Sequence, residues 1–149
     1  MQTNCAEAEP EPPSLSASET DRVIALAHLP GAAHVAVIGR RTLPFVLALM
    51  ERGCACVRSL RPDTAAPDCE TVDLAWVVDV ANEQELDDAL RAARRRAGET
   101  GRVVLESAVC RSCSTLRAHA AAAGLDLVSI DPPSQRAMLA AISPLAMAA

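Results

Sequence analysis

The chain has 149 residues, half of them apolar, which suffices for one core and favours a single compact domain over two. Its 14 basic residues are all arginine against 19 acids, and five acids (Glu7, Glu9, Glu11, Glu19, Asp21) precede the first arginine, leaving the remainder neutral. One Trp, one Phe and no Tyr offer little to stack on bases, no apolar run approaches the roughly 18 residues of a membrane span, and the acidic start lacks a signal peptide's basic lead, so nucleic-acid and membrane partners are both excluded.

Residues 1–17 carry Pro10, Pro12 and Pro13 among alternating Glu and Ala, with no apolar period, and are expected to form a disordered acidic tail ahead of a single domain at 18–149. Ser18, three residues before Asp21, begins a helix through Val23, Ile24, Leu26 and Ala27 that stops at Pro30-Gly31 and is expected to pack on a sheet edge. A buried strand follows at 34–38, then a helix at 43–52 opened by Thr42 and Pro44 and closed by Gly53. A strand at 54–60, a Pro-containing connection at 61–71 and a strand at 72–80 come next. Asn82 and Glu85 cap a helix whose Leu86, Ala89, Leu90, Ala93 and Ala97 share one face, while Arg94, Arg95 and Arg96 load its last turn before Gly98. A strand at 102–108, a helix at 114–123 stopped by Gly124 and a strand at 125–130 complete the alternation, and the apolar segment 134–142 fits either strand or helix.

Strands apolar on both faces, such as Leu74, Ala75, Trp76, Val77 and Val78, belong in a parallel sheet covered on each side by helices. Right-handed crossovers then bring all the C-terminal strand ends to one edge, where open sheets of this kind bind ligands. On that edge lies the turn Gly39-Arg40-Arg41-Thr42-Leu43-Pro44, a strand-to-helix turn that holds arginines, a leucine and a proline where a phosphate-cradling loop would hold glycines. Arg40 and Arg41 at a helix N-terminus, with Arg61 across the edge, suit a phosphate or carboxylate; alternatively they are solvated, or pair with Asp79 and fill the pocket.

From residue 34 to about 142 the order of segments resembles a reduced class I S-adenosylmethionine-dependent methyltransferase. His34 to Gly39 is similar to that family's first strand and glycine, Cys54 to Pro62 to its second strand, Val72 to Asp79 to the strand facing the cofactor, Gly101 to Ser107 to the next, and Leu116 to Pro132 to the late helix-strand unit. The resemblance implies an α/β, three-layer, Rossmann-like fold with a mostly parallel sheet and helices on both faces. It also implies Gly39, Arg40, Arg41, Arg61 and Asp79 as the positions nearest S-adenosylmethionine, if the turn is functional. The family's acid and its later glycines are replaced here by Val37, Arg41 and Leu43, and its ribose-gripping acid by Arg61. A dinucleotide fingerprint fails as well, at Arg41 and Pro44.

The lack of a bilayer-length apolar run and the acidic start point to the cytoplasm, where the six cysteines stay reduced, and a chain this rich in aliphatic residues needs no disulfides. Cys110-Arg111-Ser112-Cys113, between a strand and a helix, has the local context of a thiol-redox motif, and a helix N-terminus lowers a thiol pKa. A zinc site built from Cys54, Cys56, Cys110 and Cys113 is ruled out by topology, because the two pairs sit at opposite strand ends some ~17–20 Å apart. His28, His34 and His119 fall away from the ligand edge and are expected to be surface or structural residues, while Asp79, Glu106 and Asp131 near strand ends are expected to be solvated.

These readings favour a methyltransferase-like domain with a degenerate cofactor turn, non-catalytic, without catalytic residues, metal or cofactor, and acting on an unknown protein partner or a small anionic ligand. The competing readings are an active S-adenosylmethionine-dependent methyltransferase and a thiol-redox or metal-binding protein using Cys110 and Cys113.

Overall fold

The computed structural model describes residues 17–62, 71–106, 113–131 and 135–142. Ten elements follow in chain order: α1 (Ala17–Leu26), β1 (His34–Gly39), α2 (Leu43–Glu51), β2 (Cys56–Leu60), β3 (Leu74–Asp79), α3 (Glu83–Ala97), β4 (Arg102–Leu105), α4 (Cys113–Ala122), β5 (Leu125–Asp131) and β6 (Arg136–Ala141). The strands form one six-stranded sheet in the order β2-β1-β3-β4-β6-β5. Four of them, β2, β1, β3 and β4, run parallel; β6 is antiparallel to both β4 and β5.

The alternation read from the sequence is thus present, with β2, β3 and β4 shorter than expected and β1 and β5 each one residue longer. The ambiguous segment 134–142 resolves as the strand β6. Its short apolar run has no periodicity to separate strand from helix, and it is decided by the ladders on either side, with Val104 opposite Met138 and Ser129 opposite Met138. Residues 1–16 of the leader fall outside the described residues, and Ala17, expected to belong to it, is the first residue of α1.

Side chains alternate strictly across the buried strands, so each strand feeds both faces of the sheet. Ala36, Ile38, Ala75, Val77, Val103, Leu105, Ala137 and Leu139 point to one side, where Leu86, Ala89, Leu90 and Ala93 of α3 and Leu116 and Ala120 of α4 cover them. Val35, Val37, Leu74, Trp76, Val78, Val104 and Met138 point to the other, under Val23 of α1, Ala27 just past it, and Phe45 and Leu49 of α2. The largest of these, Trp76, is fully buried and meets Phe45 edge-on with ring centroids 5.0 Å apart.

Two local expectations need adjustment. Helix α1 does not line a sheet edge: it shares its core cluster with α2, β3, β4 and β6, Asp21 pairs with Arg52 behind α2, and Arg22 reaches Asp131 at the end of β5. It therefore crosses the face. At α2 the Thr42 side chain makes no capping bond; its hydroxyl bonds the Ser59 hydroxyl of β2, while its carbonyl accepts the N–H groups of Phe45 and Val46. The cap of α3 is as expected, with the Asn82 side chain accepting the Glu85 N–H at 2.9 Å.

Candidate functional site at the C-terminal strand edge

Parallel pairing brings the ends of β1, β2, β3 and β4 to one edge, and the antiparallel β6 begins there, next to the end of β5. Gly39 lies opposite Asp79 at a register shift in the β1–β3 ladder. A Cβ on Gly39 would stand 2.9 Å from both the backbone N and O of Asp79 and 3.0 Å from Val78 Cγ2. The glycine is required by β3 itself; the space its missing side chain leaves is already filled by protein backbone.

The turn after Gly39 directs both arginines onto carboxylates. Arg41 Nε donates to Asp79 Oδ2 at 3.0 Å, joining the turn to the neighbouring strand end. Arg40 Nε donates to both carboxylate oxygens of Glu85 at 3.0 Å, with Nη2 on Oε2 as well. Glu85 is held further by the Ala81 N–H at 2.9 Å. The Arg40 guanidinium, and secondarily the Ala81 N–H, push the Glu85 carboxyl below its ordinary pKa. Arg61 follows the last residue of β2 on the adjacent strand, exposed, with Leu60 opposite Ile38 of β1.

Two more arginine–carboxylate pairs continue along the edge, and neither was visible in the sequence. Glu106, just beyond β4, accepts the Trp76 indole N–H at 3.0 Å and is gripped through both oxygens by Arg136 at the start of β6. Arg136 is only 4% exposed, so this pair is part of the core's rim. Arg22 of α1 holds Asp131 through both oxygens, with Nη2 to Oδ1 at 3.0 Å. Asp79 pairs with Arg41, one of the readings of the turn, whereas Glu106 and Asp131, expected to be solvated, each carry an arginine as well. Sequence separation hid this, since Arg22 and Asp131 are 109 residues apart.

The other candidates fall elsewhere. Cys110 lies outside the described residues; Cys113 is the first residue of α4, and its side chain is not described. Cys54 is partly buried, which pushes its thiol pKa up, away from the reactive thiolate. Among the described residues no three or more His, Cys, Asp or Glu side chains gather into a possible metal site. His28 sits just past α1 with φ of 53°, and the His34 N–H donates to Asp73 Oδ2 at 2.9 Å. His119 is structural in a definite sense: its Nδ1 lies 2.6 Å from Asp87 Oδ1 and its Nε2 3.7 Å from Glu83 Oε1, tying α4 to α3. The Asp87 hydrogen bond leads in raising the His119 pKa above the ordinary imidazole value.

No protein-family model and no curated protein matches the sequence. Solved structures do match in shape. The chain superposes on the CcbJ methyltransferase from Streptomyces caelestis with a TM-score of 0.64 at 12% identity, covering 92% of this chain and 94% of that one. A TehB-like SAM-dependent methyltransferase from Corynebacterium glutamicum gives 0.60 at 15% identity, over 83% of this chain and 88% of that one. The fold is that of the class I S-adenosylmethionine-dependent methyltransferases. DesVI of Streptomyces venezuelae, at 0.61 and 10% identity over 85% of this chain and 92% of that one, shares it too.

The methyltransferase fold locates the edge at which such a domain would meet a cofactor, and at that edge the fit with this chain's residues is poor. Gly39 opens onto the Asp79 backbone, Arg41 and Leu43 occupy positions where the resemblance calls for glycine, and Arg61 stands where it calls for an acid. One Asp79 oxygen is taken by Arg41.

Proposed function

We propose that the protein is a non-catalytic binding or regulatory domain on a methyltransferase fold, its cofactor edge held closed by its own arginines. The observation that carries this reading is the Arg41–Asp79 bond at 3.0 Å beside a glycine that has no open space to offer. An adenosine moiety entering beside Gly39 would have to displace the Arg41 guanidinium and would find cationic side chains where hydroxyl groups need acceptors. No methyl-transfer step is assigned. A protein partner is favoured over a small anion, because Arg40 and Arg41 already have carboxylates within hydrogen-bond distance and little net positive charge is left at the α2 N-terminus. Among the described residues no helix is long and apolar enough to cross a membrane.

A second reading, an active methyltransferase, draws support from one feature. The Arg41 side chain is 52% exposed, and exposed ion pairs contribute only about 0.2–1 kcal/mol, so a tightly binding nucleoside could push it aside. Titration calorimetry with S-adenosylmethionine separates the two. The closed-edge reading expects no binding in the micromolar range. Micromolar binding by the unaltered chain overturns that reading in favour of the enzyme.

A further inference from the structure

Helix α2 is apolar on two opposite sides. Phe45 and Leu49 face the sheet and are 3% and 0% exposed, whereas Leu43, Leu47 and Met50 are 64%, 51% and 59% exposed. At 100° per residue these three form one stripe on the side away from the core, extending about 10 Å along the helix at 1.5 Å per residue. Three of the four large exposed hydrophobic residues of the described structure lie on this single helix. A helix apolar all round belongs between two packed layers, and here the described structure supplies only the inner one.

The chain's own neighbouring sequence is poorly suited to cover the stripe. Residues 63–70, which join β2 to β3, contain no Val, Leu, Ile, Met or Phe, residues 1–16, which lead into α1, contain only Met1 and Leu15, and residues 143–149, which follow β6, only Leu145 and Met147. A second copy suits it well. Leu47 has Leu43 four residues to one side and Met50 three to the other, so a two-fold axis through Leu47 sets Leu47 on Leu47 and pairs each Leu43 with the other copy's Met50. The same antiparallel arrangement opposes the two helix dipoles and delivers the exposed Glu51 to the other copy's N-terminal turn, where the helix dipole favours a carboxylate. The competing charge at that end, Arg52, is already held by Asp21 at 2.9 Å.

We propose that the outer face of α2 is a self-association surface, on which two copies of this chain pack antiparallel about Leu47. A seam of one short helix per copy lies below the ~1,200 Å² of a standard interface, so the dimer is weak and reversible. The proposal is independent of whether the strand edge binds a nucleoside.

Sedimentation velocity on the full chain, from micromolar to hundreds of micromolar, tests it. The expected result is a concentration-dependent shift from monomer to dimer that Leu47→Glu weakens by about tenfold or more, because the axis would bring two carboxylates together. Far-UV circular dichroism checks that the variant folds. Leu47→Cys supplies an independent readout: mild oxidation should yield a dimer linked through position 47 of each copy, identified by peptide mapping, at a rate that rises with concentration. A monomer throughout the range overturns the proposal and leaves the stripe to a different protein. A dimer indifferent to Leu47→Glu, or a Leu47→Cys variant that forms no such link, equally overturns it.

Discussion

Arg41 and Asp79 meet at 3.0 Å across the ends of β1 and β3, and they do so because Gly39 lets those two strand ends approach more closely than any side chain would permit. A charged side chain reaches the neighbouring strand end beside a glycine whose bare face rests on that strand. The edge where the fold would receive a ligand is thereby tied together from within.

Substitution at Gly39 tests that close approach. Gly39→Ala places a methyl group 2.9 Å from the Asp79 backbone, which can yield only by moving β3, so unfolding in urea should show a loss of about 1–3 kcal/mol. A variant as stable as the parent would mean that the strand ends tolerate separation, and that Gly39 is free to serve a ligand.

The Glu106–Arg136 pair lies nearer the core than the pairs of the turn. Arg136→Ala leaves Glu106 without its cation beside the buried Trp76 and is expected to cost about 3 kcal/mol. Glu106→Gln combined with Arg136→Met removes both charges and should recover much of that loss. Emission from Trp76, the chain's one tryptophan, reports the change directly, shifting to the red in the single variant as water reaches the indole. Equal loss in the single and double variants would show that packing by the arginine stem, rather than charge pairing, is what matters.

The clamp between α3 and α4 makes stability depend on pH. Asp87, with Glu83 behind it, raises the His119 pKa above its unfolded value, so the native state binds the proton more tightly. The contribution is complete below the unfolded pKa of about 6.5 and is lost as pH rises through the higher folded value. Thermal unfolding should therefore occur at a lower temperature at about pH 8 than at about pH 6, and His119→Gln should flatten the difference. An unchanged pH profile in His119→Gln would assign the dependence to other groups.

The exposed pair at the turn is expected to be a weak tie. A double-mutant cycle on Arg41→Ala and Asp79→Ala should return a coupling of about 0.2–1 kcal/mol, falling as salt is added. Coupling well above that range would mark the closure as too strong for a small ligand to displace.

Local chemistry was legible in the amino-acid order alone. Alternating apolar stretches fixed most strands and helices, Asn82 and Glu85 marked the start of α3, and the turn after Gly39 carried two arginines where a cradle would need glycines. Each of these depends on residues within one or two turns of chain, so propensity and periodicity suffice. Tertiary structure decided the rest. Arg136–Ala141 became a strand because β4 and β5 offered ladders on both sides of it, and Glu106 and Asp131 acquired Arg136 and Arg22 because the sheet order brought distant segments together, whereas the pairing of the turn with Asp79 was among the readings of the sequence. Charge pairing of this kind depends on distance in space, which sequence spacing does not encode. For the same reason, the outward side of α2 could be recognised as exposed only after the sheet had claimed the inward one.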